Sequence, residues 1–246
     1  MQNTSLLYKE IVSGLHHFET ALDIYTSDGQ TLVYSFGENR LVSLNTKKSL
    51  FAEDKFDIGC CVSGEIDVSF YPTDQNNQEI VIPRMAMLIP KCRAVSSITG
   101  DYSEWITKGV FFVDTRNKDE VTGLLTLHGY DAMLKTESDY PENSSINFPA
   151  YDIRLVEEIA DAMGCDVDPR TYDVIIGDYE LGLPLGYSQR EVLSGIAVFY
   201  GANFCISDQG KLLAVSPITI PKSFGYLVDK SDGLPITFGG VRILVG

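Results

Sequence analysis

The chain has 246 residues, with 34 Asp plus Glu against 19 Lys plus Arg, a formal net charge of −15, and 44% hydrophobic against 22% charged residues. This is the composition of a globular protein, and a chain of this length buries about 70% or more of its unfolded surface without needing covalent staples. The acidity excludes the basic footprint on which phosphate-driven nucleic-acid binding depends, and it opposes docking on an anionic membrane.

Residues 1–20 carry Lys9, Glu10, His16 and His17 and lack the apolar core of a secretory signal. No run reaches the roughly eighteen apolar residues of a membrane span. Both features point to a protein made and folded in a cytoplasm. Cys60, Cys61, Cys92, Cys165 and Cys205 are odd in number and contain no C-x-x-C pair, which reads as small buried thiols and not as a disulfide framework or a zinc site. In an extended segment Cys60 and Cys61 point to opposite faces and cannot share an ion.

In chain order, the residues up to about 136 read as strands. Segments 21–25 and 31–34 flank Ser27, Asp28 and Gly29, an Asp-Gly signal for a tight hairpin with positive φ angles. Over 62–70 apolar or small residues hold the even positions and polar ones the odd, the period of a half-buried strand. Residues 105–115 are β-branched and aromatic, with Gly109 marking a bulge or bend. Val121, Gly123, Leu125 and Leu127 alternate with Thr122, Thr126 and His128. Short strands separated by turns favour a closed barrel or a sandwich.

The pattern then changes. After the polar stretch 137–147 and Pro149, Ile153, Val156, Ile159, Ala160 and Met163 recur at helical spacing, and Gly164 stands at the C-terminal cap. Ser188 and Glu191 form a capping box for a second helix with Val192, Leu193, Ile196, Ala197 and Tyr200 as its stripe and Gly201 as its end. One short strand fits between 173 and 184, and a hairpin pairs 203–206 with 211–215 around 207–210. Residues 231–235 read as a turn and 236–245 as a strand. A domain seldom stops on such an apolar strand, so the chain is expected to be a fragment or to pair this strand with an earlier one.

Catalytic chemistry has little to work with. His16 and His17 are adjacent and read as solvated or packing side chains, and His128 as a satisfied half-buried one. H-E-x-x-H, G-x-S-x-G, the phosphate-binding loop and G-x-G-x-x-G are absent from the sequence. Glu65 and Asp67 share one polar strand face, and Asp131, Glu137, Asp139 and Glu142 crowd one connection. Among 34 acidic residues such pairs arise by chance, so a glycosidase-like carboxylate pair is the weaker reading. Asp166 and Asp168 precede Pro169, which breaks a calcium-loop pattern. The 26 aromatic residues (12 Phe, 13 Tyr, 1 Trp) suffice for a sugar-binding face, though most belong to cores or interfaces.

The order of features carries more than any one residue. Phe56, Asp57, Ile58 and Gly59, the strand at 65–70, then 81–86 and 105–114 resemble the first barrel of phage tail baseplate hub proteins. Residues 130–135 with Tyr140 and Pro141 resemble that family's exit from the barrel, and 156–164 and 188–193 with Ile196 and Ala197 its two inserted helices. Residues 202–204 and 210–212 are similar to its following hairpin, and 236–242 to the start of its second barrel. Each motif alone is degenerate; together they run from about Leu15 to the end.

The resemblance implies an α+β, mainly β chain: an antiparallel β-barrel domain over 1–136, a small two-helix domain with β-hairpins over 137–220, and the start of a second barrel over 221–246. It implies a non-enzymatic structural subunit that binds no cofactor or metal and assembles as a homotrimeric ring with a pseudo-six-fold surface. The ring joins tail tube to tail tip beside distal tail, tube and tape-measure proteins, in a virion tail assembled in the bacterial cytoplasm. Specific nucleic-acid binding and membrane contact are not expected, and the acidity suits a bore through which DNA slides without sticking. Family members continue through a second barrel, and many add a lytic or receptor-binding portion that this sequence lacks. The alternative reading is a carbohydrate-binding β module for host-surface recognition; a third is a hydrolase using Glu65 and Asp67.

Overall fold

A computed structural model of the chain describes residues 4–52, 55–74, 76, 78–217, 225–226, 237–238, 241–242 and 244–245. A short helix α1 (Leu6–Ser13), capped by the Ser5 hydroxyl, precedes β1 (His16–Tyr25) and β2 (Leu32–Gly37). β3 (Leu41–Lys47), β4 (Glu65–Phe70), β5 (Met87–Ser96), β6 (Ile106–Thr107), β7 (Phe111–Lys118) and β8 (Leu125–Tyr130) complete one antiparallel sheet. Its hydrogen-bonded order is β2-β1-β5-β7-β8-β4-β3, with β6 beside β5. Among the described residues β2 and β3 do not pair, so the path is open at that edge.

The sheet nevertheless curls around one core. Leu22, Ile24, Phe36, Ile66, Val68, Phe70, Leu88, Phe111 and Leu127 are fully buried together, drawn from both ends of the path. The even residues of β4 face inward as their period demands, while Asp67 is exposed. Arg40 closes the open corner by donating to the carbonyls of Thr73 and Asp74. Gly129 is required where β8 crosses β7: a Cβ there would stand 2.4 Å from the Phe112 carbonyl oxygen.

The second unit follows. β9 (Ala150–Tyr151) leads into α2 (Asp152–Met163), which ends at Gly164 in the left-handed region, φ 74°. β10 (Glu180–Leu181) pairs with β9, and α3 (Gln189–Phe199) starts at Ser188 with both halves of the capping box formed. β11 (Asn203–Ile206) and β12 (Leu212–Val215) form the hairpin. Leu155, Val156, Ile159, Leu193, Ile196, Phe204 and Leu212 make its core. Buried Thr171 binds this hairpin by donating to the Leu212 carbonyl and accepting from Ala214 N, both at 3.0 Å.

Several details differ from the pattern reading. Asp28 keeps a negative φ; its carboxylate instead accepts from Thr26 and Gln30, and only Gly29 (φ 71°) in that connection is left-handed. The strand expected from Val121 begins at Leu125, because Asp119 folds 119–123 into a turn and leaves Val121 94% exposed. Residues 236–245 do not run as one strand. β14 (Thr237–Phe238) folds back on β15 (Val241–Arg242), and β13 (Gly225–Tyr226) pairs with β16 (Leu244–Val245). The turn at 231–235 and most of the second barrel expected over 221–246 lie outside the described residues. Among the described residues no helix is long and apolar enough to cross a membrane.

Candidate functional site: the joint between sheet and helical unit

The densest polar chemistry lies where the two units meet. Asp131, buried at the end of β8, accepts from Gly64 N at 2.7 Å and from Met133 N at 3.0 Å, while its own N–H donates to the Gly64 carbonyl at 3.0 Å. Burial pushes its carboxyl up to about 6, against the pull of those two N–H groups and of Lys48 and Arg190. Arg190, on α3, crosses to the sheet unit by donating to Ser63 Oγ at 3.1 Å and to the Met133 carbonyl at 3.0 Å, and it pairs with Glu137 at 3.1 Å.

Beside it, fully buried Asn203 clamps the long β3–β4 connection. Its Oδ1 accepts from Cys60 N at 2.9 Å, and its Nδ2 donates to the carbonyls of Leu50 (3.1 Å) and Asp57 (3.0 Å). Ser194 donates to the Gly59 carbonyl at 2.5 Å, Gly59 N to Ala202 O at 2.9 Å and Phe204 N to Cys60 O at 2.8 Å. Lys48 reaches Asp208 at 2.7 Å. The resembling segments at 56–59 and 202–204 are thus in direct contact, and the two units are joined by a hydrogen-bonded seam.

The residues weighed for chemistry are placed as follows. Asp67 Oδ1 accepts from His128 Nδ1 at 2.8 Å, and the His128 ring packs edge-on against Tyr130 at 4.8 Å. Glu65 lies opposite Tyr130 on β8 and Lys47 on β3, so the Glu65/Asp67 face is cross-strand pairing on the sheet exterior. Glu137 serves Arg190, and Asp139 bridges to Ser188. Asp168 caps a 3₁₀ turn and is held below its ordinary value first by Arg170; Asp166 meets Lys211 at 3.0 Å. Burial pushes the thiol of Cys61 up to about 12 and those of Cys165 and Cys205 to about 11. Among the described residues no group of three His, Cys, Asp or Glu is arranged to hold a metal ion.

The seam residues Asn203, Arg190 and Asp131 went unmarked as a group in the sequence. The only local signal is an Asn beginning a strand otherwise apolar at its buried positions, where a polar side chain demands a buried partner.

No family model matches the chain, and no curated protein does. The fold is similar to two solved tail proteins. The 43 kDa tail protein of prophage MuSo2 from Shewanella oneidensis is 13% identical, with a TM-score of 0.49, covering 80% of this chain and 54% of that one. The tail protein of Neisseria meningitidis MC58 is also 13% identical, with a TM-score of 0.45, covering 88% of this chain and 53% of that one. The chain spans about half the length of each.

Proposed function

We propose that the chain is a non-enzymatic structural subunit of a phage or prophage tail, acting in a baseplate hub ring that joins tail tube to tail tip. The observation that supports this reading is the order of the elements: a curled antiparallel sheet, then two helices with a hairpin, locked to the sheet by the seam at 56–64. That is the sequence of parts the resemblance implies. The joint is suited to transmitting load, since its polar groups are mutually satisfied and none of the described buried side-chain polar atoms lacks a partner. In this reading three copies close a ring with the neighbouring tube, distal tail and tape-measure proteins as partners.

The solution mass tests it. Size exclusion with light scattering over a range of concentrations is expected to give a mass near three times 27.2 kDa; a monomer throughout argues against the ring. A sugar-binding alternative that used exposed Tyr102 and Trp105 would have to share them with the Arg93 guanidinium, which lies over one face of each ring at 4.3 and 4.6 Å.

A further inference from the structure

Two exposed patches of opposite character stand on different units. The first is the turn that enters β5. Met85 has φ 50°, the one positive value among the described non-glycine residues, and is 59% exposed. Such a backbone is strained for a residue that carries a Cβ. It is held in place by fully buried Ala86 on one side and by Arg116, which donates to the carbonyls of Ile82 and Pro83 at 2.9 and 2.7 Å, on the other. Val81, Arg84 and Met85 are thereby turned outward. Arg84 makes no hydrogen bond or ion pair among the described residues. With Arg116 and Asp114 it lines a shallow cleft that carries an excess of positive charge.

The second patch is an aromatic platform formed by the residue that enters β10 and the end of α3. Tyr179 and Phe199 stack with ring centroids 5.0 Å apart and planes at 30°, and both remain exposed. Tyr200 stands edge-on to Tyr179 at 5.4 Å, with its hydroxyl donating to Asp152 at 2.6 Å. Asp178 and Glu180 flank Tyr179; both are exposed, and their side chains make no hydrogen bond or ion pair among the described residues.

We infer that these patches are the two halves of a head-to-tail interface between copies of this chain. The Arg84–Met85 turn of one copy seats on the Tyr179–Phe199 platform of the next, with Arg84 between Asp178 and Glu180. The inference rests on the ring reading and names the surfaces that close it. A ring needs two different, mutually complementary patches on every subunit. Copies carrying a net charge of −15 repel one another on average faces, so contact must be made where the sign is locally reversed. An uncommitted arginine supplies that reversal, and its planar head both stacks on aromatic faces and pairs with carboxylates. The unbranched methionine beside it adapts to ring edges.

The test uses the full chain. A photoreactive benzoylphenylalanine replacing Tyr179 is expected, on irradiation, to link to a peptide containing Arg84 and Met85 of another copy. Arg84→Glu and Glu180→Arg are each expected to weaken association by about tenfold or more, and the two combined in one chain to restore it. Trimers that cross-link elsewhere, or that both single variants leave intact, overturn this interface and leave the ring standing. A wild-type chain that stays monomeric at every concentration and yields no intermolecular link overturns both.

Discussion

Phe36 and Phe70 meet with ring centroids 4.3 Å apart and planes inclined at 45°, although β2 and β4 stand five places apart in the order of the sheet. The contact crosses the interior, and it shows how a sheet left open between β2 and β3 still excludes water. Tyr34 extends the cluster, 4.6 Å from Phe36. Side chains seal the corner that backbone hydrogen bonds leave open.

Truncating either ring should therefore be costly. Phe36→Ala and Phe70→Ala are each expected to destabilise the fold by about 3–5 kcal/mol. In a denaturant double-mutant cycle the pair should be non-additive by about 0.5–1.5 kcal/mol. Additive losses would show that the rings do not act together.

Asn203→Ala removes the acceptor for Cys60 N and the donor for the Leu50 and Asp57 carbonyls. Of the three partners only Cys60 is buried, and leaving its N–H without an acceptor costs about 1–3 kcal/mol; the carbonyls of half-buried Leu50 and exposed Asp57 can turn to water. The expected outcome is a loss of stability in that range together with faster limited proteolysis within 49–59, read by mass spectrometry. Unchanged cleavage would mean the connection is held by other contacts.

The titration of Asp131 has a definite sign. Its folded value of about 6 lies above the ordinary 3.8, so the folded state binds the extra proton and this group's contribution falls as pH rises from 4 to 6. The amount is about 3 kcal/mol, from the size of the shift. Asp131→Asn should remove that slope: the stability difference between variant and wild type should change across pH 4–6 and be flat above 7. A difference that does not vary with pH would assign Asp131 an ordinary titration.

Cysteine chemistry offers a further check. With the thiols of Cys61, Cys165 and Cys205 pushed to about 11 or 12 by burial, iodoacetamide at pH 8 should modify the native chain far more slowly than the denatured one. Rapid native labelling at any of these three would contradict the packing described.

Peptidoglycan is expected to survive incubation with the chain, since Asp67 is paired with His128 on the sheet exterior. Turnover that vanished in Glu65→Gln or Asp67→Asn would revive the hydrolase reading.

What the sequence made legible was local. The alternation that buries Ile66, Val68 and Phe70, the stripe of α2 ending at Gly164, and the Ser188–Glu191 box are all set by neighbours within a few residues. β5 was hidden because Pro90, Lys91 and Arg93 break the alternation, though it is the strand that joins β1 to β7. α1 was hidden because eight residues give too short a period, and only Ile11 is buried. The seam was hidden for a different reason: Asn203 and Cys60, or Arg190 and Ser63, are far apart in sequence, and no local pattern marks such a pair.

That distance has a consequence for synthesis. When Tyr130 leaves the ribosome every strand of the large sheet is present, yet the 50–60 connection lacks the side chain that satisfies its backbone until Asn203 emerges. Contacts of such high sequence separation form late. The newly made sheet must wait with one flank unsealed, and the final closure of the first half of the molecule is timed by the second.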